Sequence, residues 1–179
     1  MEYNSFLKTA ITRKTLSVPM RELMNLGLIN GKVLDYGAGK GFDLNYFKLL
    51  GIDIHGYDKY NPEYKNEEIL NRNYDVITCN YVFNVIPSLE EHKQVLEILK
   101  NISDNIYISV RSDSKAIKDS WIYKEEYLGY VTPKGSFQRF YNEEMVNTLF
   151  GEVEYIVNNN SFKLFKLNIT KIVDKKLYI

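Results

Sequence analysis

The sequence has few of the residues on which several large classes of protein depend. A single cysteine among 179 residues excludes a disulfide framework and a metal site built from cysteines. The two histidines, His55 and His92, have no partners at metal-ligand spacing, so no metal is expected. Four prolines leave no linker that would divide the chain, and no apolar run approaches the roughly 20 residues of a membrane span.

Charge of one sign is not in excess either. Lysine plus arginine and aspartate plus glutamate number 23 each, so the net charge gives no general attraction to nucleic acid or membranes. The N-terminus has no apolar signal core, and we expect a cytoplasmic protein. With 45% hydrophobic residues the chain can bury a full core, which predicts a single domain over residues 1–179.

The most informative residues lie between positions 33 and 58. Val33-Leu-Asp-Tyr-Gly-Ala-Gly-Lys-Gly41 is typical of a strand followed by a glycine-rich turn, and Ile52-Asp-Ile-His-Gly-Tyr-Asp58 of a second strand ending in an acid. The two acids, Asp35 and Asp58, are 23 positions apart, close to the roughly 20 expected between a glycine turn and a ribose-binding acid. The pattern predicts half of a nucleotide-binding α/β fold.

The spacing of the glycines within the turn indicates which nucleotide the fold binds. Dinucleotide folds use Gly-x-Gly-x-x-Gly and bind pyrophosphate, whereas this turn is Gly-x-Gly-x-Gly and follows Asp35, whose carboxylate suits a cationic ligand. The string resembles motif I of class I S-adenosylmethionine (SAM) methyltransferases, whose ligand carries an ammonium and a sulfonium. The resemblance implies SAM as cofactor, with Asp35 at its methionine end and Asp58 at its ribose. The turn residues implied are Gly37, Ala38, Gly39 and Gly41. The alternative is a tight turn without a ligand.

Periodicity and capping signals give the remaining elements. Ser88-Leu-Glu-Glu91 is a capping box, and Ser17 is expected to cap a helix ending near Gly27. The expected helices are residues 2–12, 17–27, 41–50, 88–101 and 142–150, and the expected strands are 32–36, 53–57, 74–81, 105–111, 152–157 and 161–167. In the helix over 41–50, the residues expected to face the sheet are Phe42, Tyr46, Phe47 and Leu50. This order predicts an N-terminal helical segment over 1–30 and a mostly parallel, Rossmann-like methyltransferase sheet with an antiparallel last strand.

The connection after Asp58 is shorter than the resemblance requires. Residues 59–73 cannot hold a helix, a strand and a second helix, because one crossover alone takes at least roughly 10–12 residues. We therefore expect the sheet to lack one outer strand. The acid that follows that strand in larger relatives contacts adenine, so adenine contacts are expected from Lys59, Tyr60 or the region of Asn80.

Several segments resemble a narrower bacterial group, the DNA phosphorothioation-associated putative methyltransferases. The matching segments are Thr12–Arg21, Val33–Asp43, Gly56–Tyr60, Asn80–Pro87 and Thr132–Tyr141. The group is named for the genomic association of its members with DNA modification, not for a substrate.

Candidate acceptor residues lie on the expected ligand side of the sheet. Arg111 ends a strand there, and residues 112–141 form an aromatic insertion that we expect to act as a lid. Its aromatic residues would either pack the insertion down or stack a flat substrate. The candidate catalytic residues are Asn80, Arg111 and Tyr141. The candidate substrate residues are Arg13, Arg21, Phe137, Gln138, Arg139 and Phe140. DNA amino-methyltransferases place a proline-containing loop at Asn80-Tyr-Val-Phe83, but both prolines are absent here.

Three functions remain open from the sequence. The first is a SAM-dependent methyltransferase that acts on a nucleobase or nucleic acid, and the second is the same chemistry on a small metabolite. The third is a non-catalytic protein that binds SAM or a nucleotide for regulation. Fold class does not separate them.

Overall fold

A six-stranded sheet forms the centre of the structure, a computed structural model that describes residues 10–169. Its strands are β1 (Lys32–Tyr36), β2 (Asp53–Tyr57), β3 (Val76–Asn80), β4 (Ile106–Arg111), β8 (Val153–Asn158) and β9 (Phe162–Leu167). The helices are α1 (Val18–Asn25), α2 (Phe42–Leu49), α3 (Leu89–Ile102) and α4 (Glu143–Phe150). A small antiparallel sheet contains β5 (Ile122–Lys124), β6 (Gly129–Val131) and β7 (Phe137–Gln138).

The strand order is β2-β1-β3-β4-β9-β8. Strands β1 to β4 are mutually parallel, whereas β9 pairs antiparallel with β4 and β8 pairs antiparallel with β9. This confirms the expected Rossmann-like sheet and its antiparallel closing hairpin. Because β1 to β4 run in the same direction, their carboxyl ends meet at one edge, where ligands bind in open α/β sheets.

The expected absence of an outer strand is confirmed within the described residues. β2 is the edge strand of the sheet, and residues 59–73 contain one 3₁₀ turn, Glu67–Asn71, instead of a strand. Asn66 caps this turn by accepting a hydrogen bond from the Glu68 N–H, and Ile69 anchors it by burial. The connection therefore crosses from β2 to β3 without widening the sheet.

Apolar residues are buried on both faces of the sheet. On one face, Leu34 and Ile77 pack in the cluster that contains the inner side of α3. On the other face, Val33 and Val76 pack in the cluster that contains α1 and α2. The capping box of α3 is confirmed, since the Ser88 hydroxyl accepts a hydrogen bond from the Glu91 N–H.

Two expectations about the first half of the chain need correction. Helix α2 buries Leu44 and Phe47, whereas Tyr46 and Leu50 are exposed, because α2 ends at Leu49 and its buried stripe is narrow. Phe42 is half-buried at the first position of the helix. The helix expected over residues 2–12 lies mostly outside the described residues, and residues 10–12 are not helical.

Candidate functional site

The glycine turn between β1 and α2 depends on the backbone freedom of glycine. Gly37, Gly39 and Gly41 have φ angles of 83°, 57° and 74°, in the left-handed region that other residues rarely adopt. A Cβ atom on Gly37 would lie 2.1 Å from a methyl carbon of Val82, whereas a Cβ on Gly39 would meet nothing within 4 Å. The space beside Gly39 is therefore open to a ligand that approaches the backbone.

Hydrogen bonds within the protein use the amides of this turn. The N–H groups of Gly37 and Ala38 donate to the Tyr57 carbonyl at 2.7 and 3.0 Å, and that of Gly41 donates to Ala38. The Gly39 N–H donates to the Asp58 carboxylate at 2.8 Å. A phosphate at this turn would find these four donors already bonded, which agrees with the sequence argument against a dinucleotide.

Asp35 lies near the end of β1 and is almost fully buried. Its carboxylate accepts a hydrogen bond from the Thr78 hydroxyl at 3.0 Å. Burial raises the pKa of Asp35 to about 7, with a further contribution from the nearby Asp43 carboxylate. Near neutral pH both the protonated and the charged form of Asp35 are therefore populated.

Asp35 lines a first cavity at the carboxyl edge of the sheet, together with Asp43, Arg13 and Lys40. Asp43 accepts a hydrogen bond from the Ser17 N–H at 2.9 Å, which ties the start of α1 to α2. Among residues 10–169, Arg13 has no carboxylate within 4 Å. The first cavity thus presents both signs of charge to one small volume.

Asn80 and Tyr81 line the first cavity from the end of β3. The Asn80 side-chain oxygen accepts from the Ser109 hydroxyl at 2.9 Å, but its buried Nδ2 atom has no hydrogen-bond partner among the described residues. Tyr81 has a φ of 62°, a strained conformation that costs of the order of 1–3 kcal/mol and is common at functional sites. This amide therefore has hydrogen-bonding capacity that the described residues leave unused.

Asp58 follows directly after β2, as the sequence predicts, but its carboxylate is bonded within the protein. It is fully buried, and its carboxylate accepts hydrogen bonds from the N–H groups of Gly39, Tyr60 and Asn61. The shortened connection causes this enclosure, because it turns back directly after β2 and bonds Asp58 N–H to Tyr64. Asp58 therefore supports the glycine turn from inside the protein.

A second cavity lies next to the first and shares Gly37 and Val82 with it. Their volumes are about 120 and 240 Å³, and each is below the roughly 300–1,000 Å³ of a pocket that holds a whole ligand. Lys59, expected at the cofactor, lines the second cavity and forms a salt bridge of 2.9 Å with Glu91. An elongated ligand could extend from one cavity to the other.

Arg111 lies at the end of β4, as the sequence predicts. Its guanidinium carbon is 5.1 Å from the centre of the Phe140 ring, a cation–π arrangement. Asn84, which is buried, accepts a hydrogen bond from the Arg111 N–H and donates one to the Arg139 carbonyl. The loop after β3 thus positions both ends of the insertion.

Three residues predicted to contact the acceptor are instead buried. Phe137 and Arg139 are 0% exposed, and Tyr141 is 1% exposed. The Tyr141 hydroxyl donates to the Phe83 carbonyl at 2.9 Å, and burial raises the pKa of Tyr141 to about 12. The prediction of direct substrate contact is wrong for Phe137 and Arg139, because they pack the insertion onto the loop after β3. Tyr141 also lines a cavity beside Phe140, and its role stays a prediction.

Arg139 has the most extensive contacts of the three. Its guanidinium donates to the carbonyl oxygens of Tyr127 and Pro87 and to the Tyr141 hydroxyl. Within the described residues it has no carboxylate partner inside 4 Å. The hydrogen bonds of the Arg139 guanidinium therefore link the insertion to the loop after β3.

The insertion covers a third cavity of about 600 Å³. Tyr123, Tyr130 and Phe140 line its aromatic side, and the start of α4 and Lys163 line its polar side. Of the other predicted substrate residues, Gln138 pairs with Tyr130 inside the small sheet, and Arg21 is exposed on α1 and lines none of these cavities.

Sequence reasoning missed several residues of the site. Asp43 follows the last glycine of the turn by two positions, and this spacing could have indicated it. Thr78 and Ser109 lie on neighbouring strands, and their contacts with Asp35 and Asn80 depend on strand register alone. No local signal distinguishes them from ordinary strand residues.

Residues 7–157 match the model of a family described as a methyltransferase domain. The chain belongs to this family. The match confirms the methyltransferase prediction but gives no information on the phosphorothioation-associated group. None of the curated proteins matches the methyltransferase significantly.

Solved structures share the fold of this methyltransferase. A SAM-dependent methyltransferase from Bacteroides fragilis, solved with S-adenosyl-L-homocysteine, is 15% identical, and the match covers 88% of this chain and 79% of that one at a TM-score of 0.57. TehB from Haemophilus influenzae is also 15% identical, with 94% and 67% covered and a TM-score of 0.59.

A third solved structure was determined with an acceptor. The 1,6-didemethyltoxoflavin-N1-methyltransferase of Burkholderia thailandensis, with bound 1,6-didemethyltoxoflavin and S-adenosylhomocysteine, is 14% identical, with 85% and 79% covered and a TM-score of 0.53. At these identities the three structures establish only the fold of the methyltransferase.

No helix within residues 10–169 has the length and apolarity to cross a membrane. In the same residues, no cluster of three or more acidic, histidine or cysteine side chains could hold a metal.

Proposed function

We propose that this methyltransferase uses SAM as its methyl donor and transfers the methyl group to a flat, nitrogen-rich acceptor such as a nucleobase. The observation that carries the cofactor assignment is the first cavity, where two carboxylates, an arginine and a lysine line one small volume. An α-amino acid group has the complementary charges, an ammonium and a carboxylate, and SAM ends in such a group. The Bacteroides and Burkholderia structures, solved with the demethylated product of SAM, support this assignment.

Three of the four charged side chains of the first cavity have a partner in the proposed complex, and the fourth, Lys40, donates to the Thr12 hydroxyl. Asp35 and Asp43 bind the ammonium, and Arg13 binds the carboxylate. Gly39 leaves open space for the ribose beside the turn. The proposed cofactor residues are Asp35, Gly37, Ala38, Gly39, Gly41, Lys59 and Asn80. We add Asp43 and also Arg13, which the sequence analysis placed at the substrate, because both line the first cavity.

The transfer itself requires little covalent help from the protein. A sulfonium methyl is already activated, so the protein mainly aligns the acceptor atom with it and excludes water. The free amide of Asn80 is available to orient the acceptor or the amino acid end of the cofactor. Arg111 supports the acceptor side through its stack on Phe140.

Arg13→Gln tests the cofactor assignment. We expect SAM to bind at least about tenfold more weakly, because a charge-assisted hydrogen bond is worth roughly 1.5–3 kcal/mol. Decarboxylated SAM lacks the group that Arg13 binds, so its affinity should be unchanged. Isothermal titration of both compounds measures the difference, with Arg21→Gln as the control, since Arg21 lines none of the cavities.

Two outcomes would contradict the cofactor assignment. Binding of NAD without binding of SAM by the unmodified protein would refute SAM as the cofactor. Equal losses of SAM affinity in Arg13→Gln and Arg21→Gln would remove Arg13 from the site.

The third cavity supports the acceptor assignment. Its aromatic side contains the Tyr123–Tyr130 pair at a ring distance of 5.1 Å, with Phe140 6.3 Å from Tyr130. Aromatic rings bind flat heterocycles by stacking, worth roughly 1–3 kcal/mol per base. The Burkholderia neighbour, named as an N1-methyltransferase of 1,6-didemethyltoxoflavin, acts on a small molecule. A free heterocycle is therefore the second candidate beside a nucleobase in a polymer.

Incubation with labelled SAM tests the acceptor. We expect label to enter nucleobase-containing compounds in separate pools of DNA, RNA and metabolites, with DNA indicated by the resemblance of Thr132–Tyr141. Phe140→Ala should lower turnover about tenfold or more through lost stacking while SAM affinity is kept. The matched change Phe137→Ala should lower the free energy of unfolding by roughly 3–5 kcal/mol, because Phe137 is buried.

The label also separates the alternatives left open by the sequence. Label in a metabolite that contains no heterocycle would refute the nucleobase proposal and favour the small-metabolite function. SAM binding without transfer to any pool would favour a regulatory protein. We propose the cytoplasm as the location, in line with the expectation from the sequence.

A further inference from the structure

Polar side chains continue one face of the sheet where its apolar row ends. Asp35, Thr78, Asn80 and Ser109 lie on the neighbouring strands β1, β3 and β4, in a register that pairs Asp35 with Thr78 and Asn80 with Ser109. The Thr78 hydroxyl donates to the Asp35 carboxylate, and the Ser109 hydroxyl donates to the Asn80 side-chain oxygen at 2.9 Å. Each hydroxyl thus occupies one acceptor oxygen of the side chain beside it.

The contact with Ser109 decides which end of the Asn80 amide is left for the first cavity. Ser109 is fully buried and bonds to Oδ1, so the buried Nδ2 donor of Asn80 is the end without a partner among the described residues. A reversed amide would turn its oxygen toward the cavity that Asp35 and Asp43 line, and negative partial charges would face each other. At this position the site therefore presents a hydrogen-bond donor.

A chain of contacts connects the Asn80 amide with the third cavity. Asn80 itself lines the first cavity. Its partner Ser109 shares a face of β4 with Arg111, because side chains two positions apart lie on the same side of a strand. Arg111 stacks on Phe140, and Phe140 lines the third cavity. The amide therefore lies on the side of the first cavity that leads to the proposed acceptor.

The proposed cofactor does not need this donor. Its carboxylate is assigned to Arg13, and its ammonium is itself a donor, which cannot accept a bond from an amide N–H. The Asn80 amide is then left for the acceptor molecule. An exocyclic amine on that molecule would place donor against donor, whereas a ring carbonyl oxygen accepts. Such a site discriminates between the two groups, because the wrong one leaves a buried polar group unpaired.

We propose that Ser109 is a positioning residue that holds the Asn80 amide as a donor, and that the acceptor is a heterocycle whose ring carbonyl bonds to this amide. The inference rests on the proposed function and narrows its substrate class from nitrogen-rich rings in general to oxo-substituted ones. Hypoxanthine and uracil have the required carbonyl. Adenine and cytosine, which have an amino group at the same place, are disfavoured.

The test titrates two matched pairs of nucleosides into the protein saturated with S-adenosylhomocysteine: inosine with adenosine, and uridine with cytidine. The members of a pair differ in an oxo or an amino group and in the ring proton that accompanies the oxo form. We expect the unmodified protein to bind the oxo member about tenfold or more tightly. Ser109→Ala should reduce this preference to within about threefold, because the bound ammonium neutralises the two carboxylates and the amide is then free to turn.

Ser103→Ala is the matched control. Ser103 is also a buried serine, but it lies between α3 and β4 at the other end of the strand and lines none of the cavities described above. It should keep the full preference for the oxo members. Rates of methyl transfer to the same four nucleosides give a second readout and should follow the same order. Thermal unfolding of each variant shows that the fold is retained.

The outcomes separate this inference from the proposed function. If the unmodified protein does not bind S-adenosylhomocysteine, the cofactor assignment itself fails. If it binds that compound but prefers the amino members, binds both members alike or binds none of the four nucleosides, the inference is refuted while the cofactor assignment stands. An unchanged preference in Ser109→Ala would refute the positioning role of Ser109.

Asn80→Ala gives a further reading of the same proposal. It removes the donor, so it should abolish the preference for the oxo members and leave the affinity for S-adenosylhomocysteine unchanged. The opposite result, a loss of S-adenosylhomocysteine affinity with the preference kept, would assign the Asn80 amide to the cofactor and refute its contact with the acceptor.

Discussion

Asp35→Asn is expected to weaken SAM binding at pH 8 by about 100-fold, the largest effect on binding anticipated for a single side chain. The substitution keeps an oxygen that accepts the hydrogen bond from Thr78, so the geometry of β1 and β3 is preserved. It removes the negative charge that the proposed ammonium contact requires. Asp43 remains in the first cavity and retains part of the attraction, which is why binding is weakened rather than abolished.

The raised pKa of Asp35 gives the unmodified protein a pH dependence with a defined sign. Below about pH 7 the buried carboxyl is protonated in the free protein, and binding of an ammonium must expel that proton. SAM affinity should therefore rise with pH up to about 7 and then level off, by up to about tenfold per pH unit on the rising part. Asp43, Asp58 and Arg13 also influence Asp35 electrostatically, and Thr78 stabilises its charged form by a hydrogen bond.

The free energy of unfolding of the ligand-free protein should fall over the pH range in which SAM affinity rises. The folded pKa of Asp35 lies above its ordinary value of 3.8, so burial of this group costs stability as pH rises from about 4 to 7. Asp35→Asn should accordingly raise the free energy of unfolding at pH 8, by about 2–4 kcal/mol, and have little effect at pH 4. Denaturant unfolding at the two pH values measures this difference.

Methylthioadenosine provides the control for both effects, because it lacks the amino acid group. Its affinity should be unaffected by Asp35→Asn and by pH between 5 and 8. If methylthioadenosine and SAM lose affinity together in Asp35→Asn, the substitution has disturbed the turn rather than removed an ammonium contact.

Local sequence signals were sufficient for the framework of the fold. The glycine turn requires positive φ angles at Gly37, Gly39 and Gly41, and few other residues satisfy that requirement. The capping box at Ser88 forms within four residues, so its sequence pattern carries all the information needed. The missing strand followed from chain length, because residues 59–73 cannot span the additional crossover.

The roles of individual site residues could not be predicted in the same way. Phe137, Arg139 and Tyr141 resemble ligand-binding residues in the sequence, but their burial depends on contacts with Phe83, Pro87 and Tyr127, which are distant along the chain. Asp58 ends β2 as expected, yet the fold of the following turn decides whether its carboxylate faces a ligand or the protein. Such outcomes are set by tertiary packing, for which a motif has no signal.

Arg139→Met is expected to lower stability as much as Phe137→Ala does. Methionine approximates the length of arginine but donates no hydrogen bonds, so the Tyr127 and Pro87 carbonyl oxygens would lose their donor inside the protein. We expect the free energy of unfolding to fall by about 3–5 kcal/mol and the melting temperature by roughly 10 °C. Arg139→Lys should recover part of this loss, because one ammonium can reach some but not all of these acceptors.

Arg111→Met distinguishes this structural role from a functional one. Arg111 is half-buried and stacks on Phe140, so its replacement should change the free energy of unfolding by less than about 1 kcal/mol while lowering turnover. The opposite pattern, with Arg139→Met as stable as the unmodified protein but inactive, would restore the sequence-based prediction that Arg139 contacts the acceptor. Thermal unfolding and methyl-transfer rates measured on the same preparations decide between the structural and the functional role of Arg139. Loss of a buried link between the insertion and the sheet must lower the melting temperature and the transfer rate together.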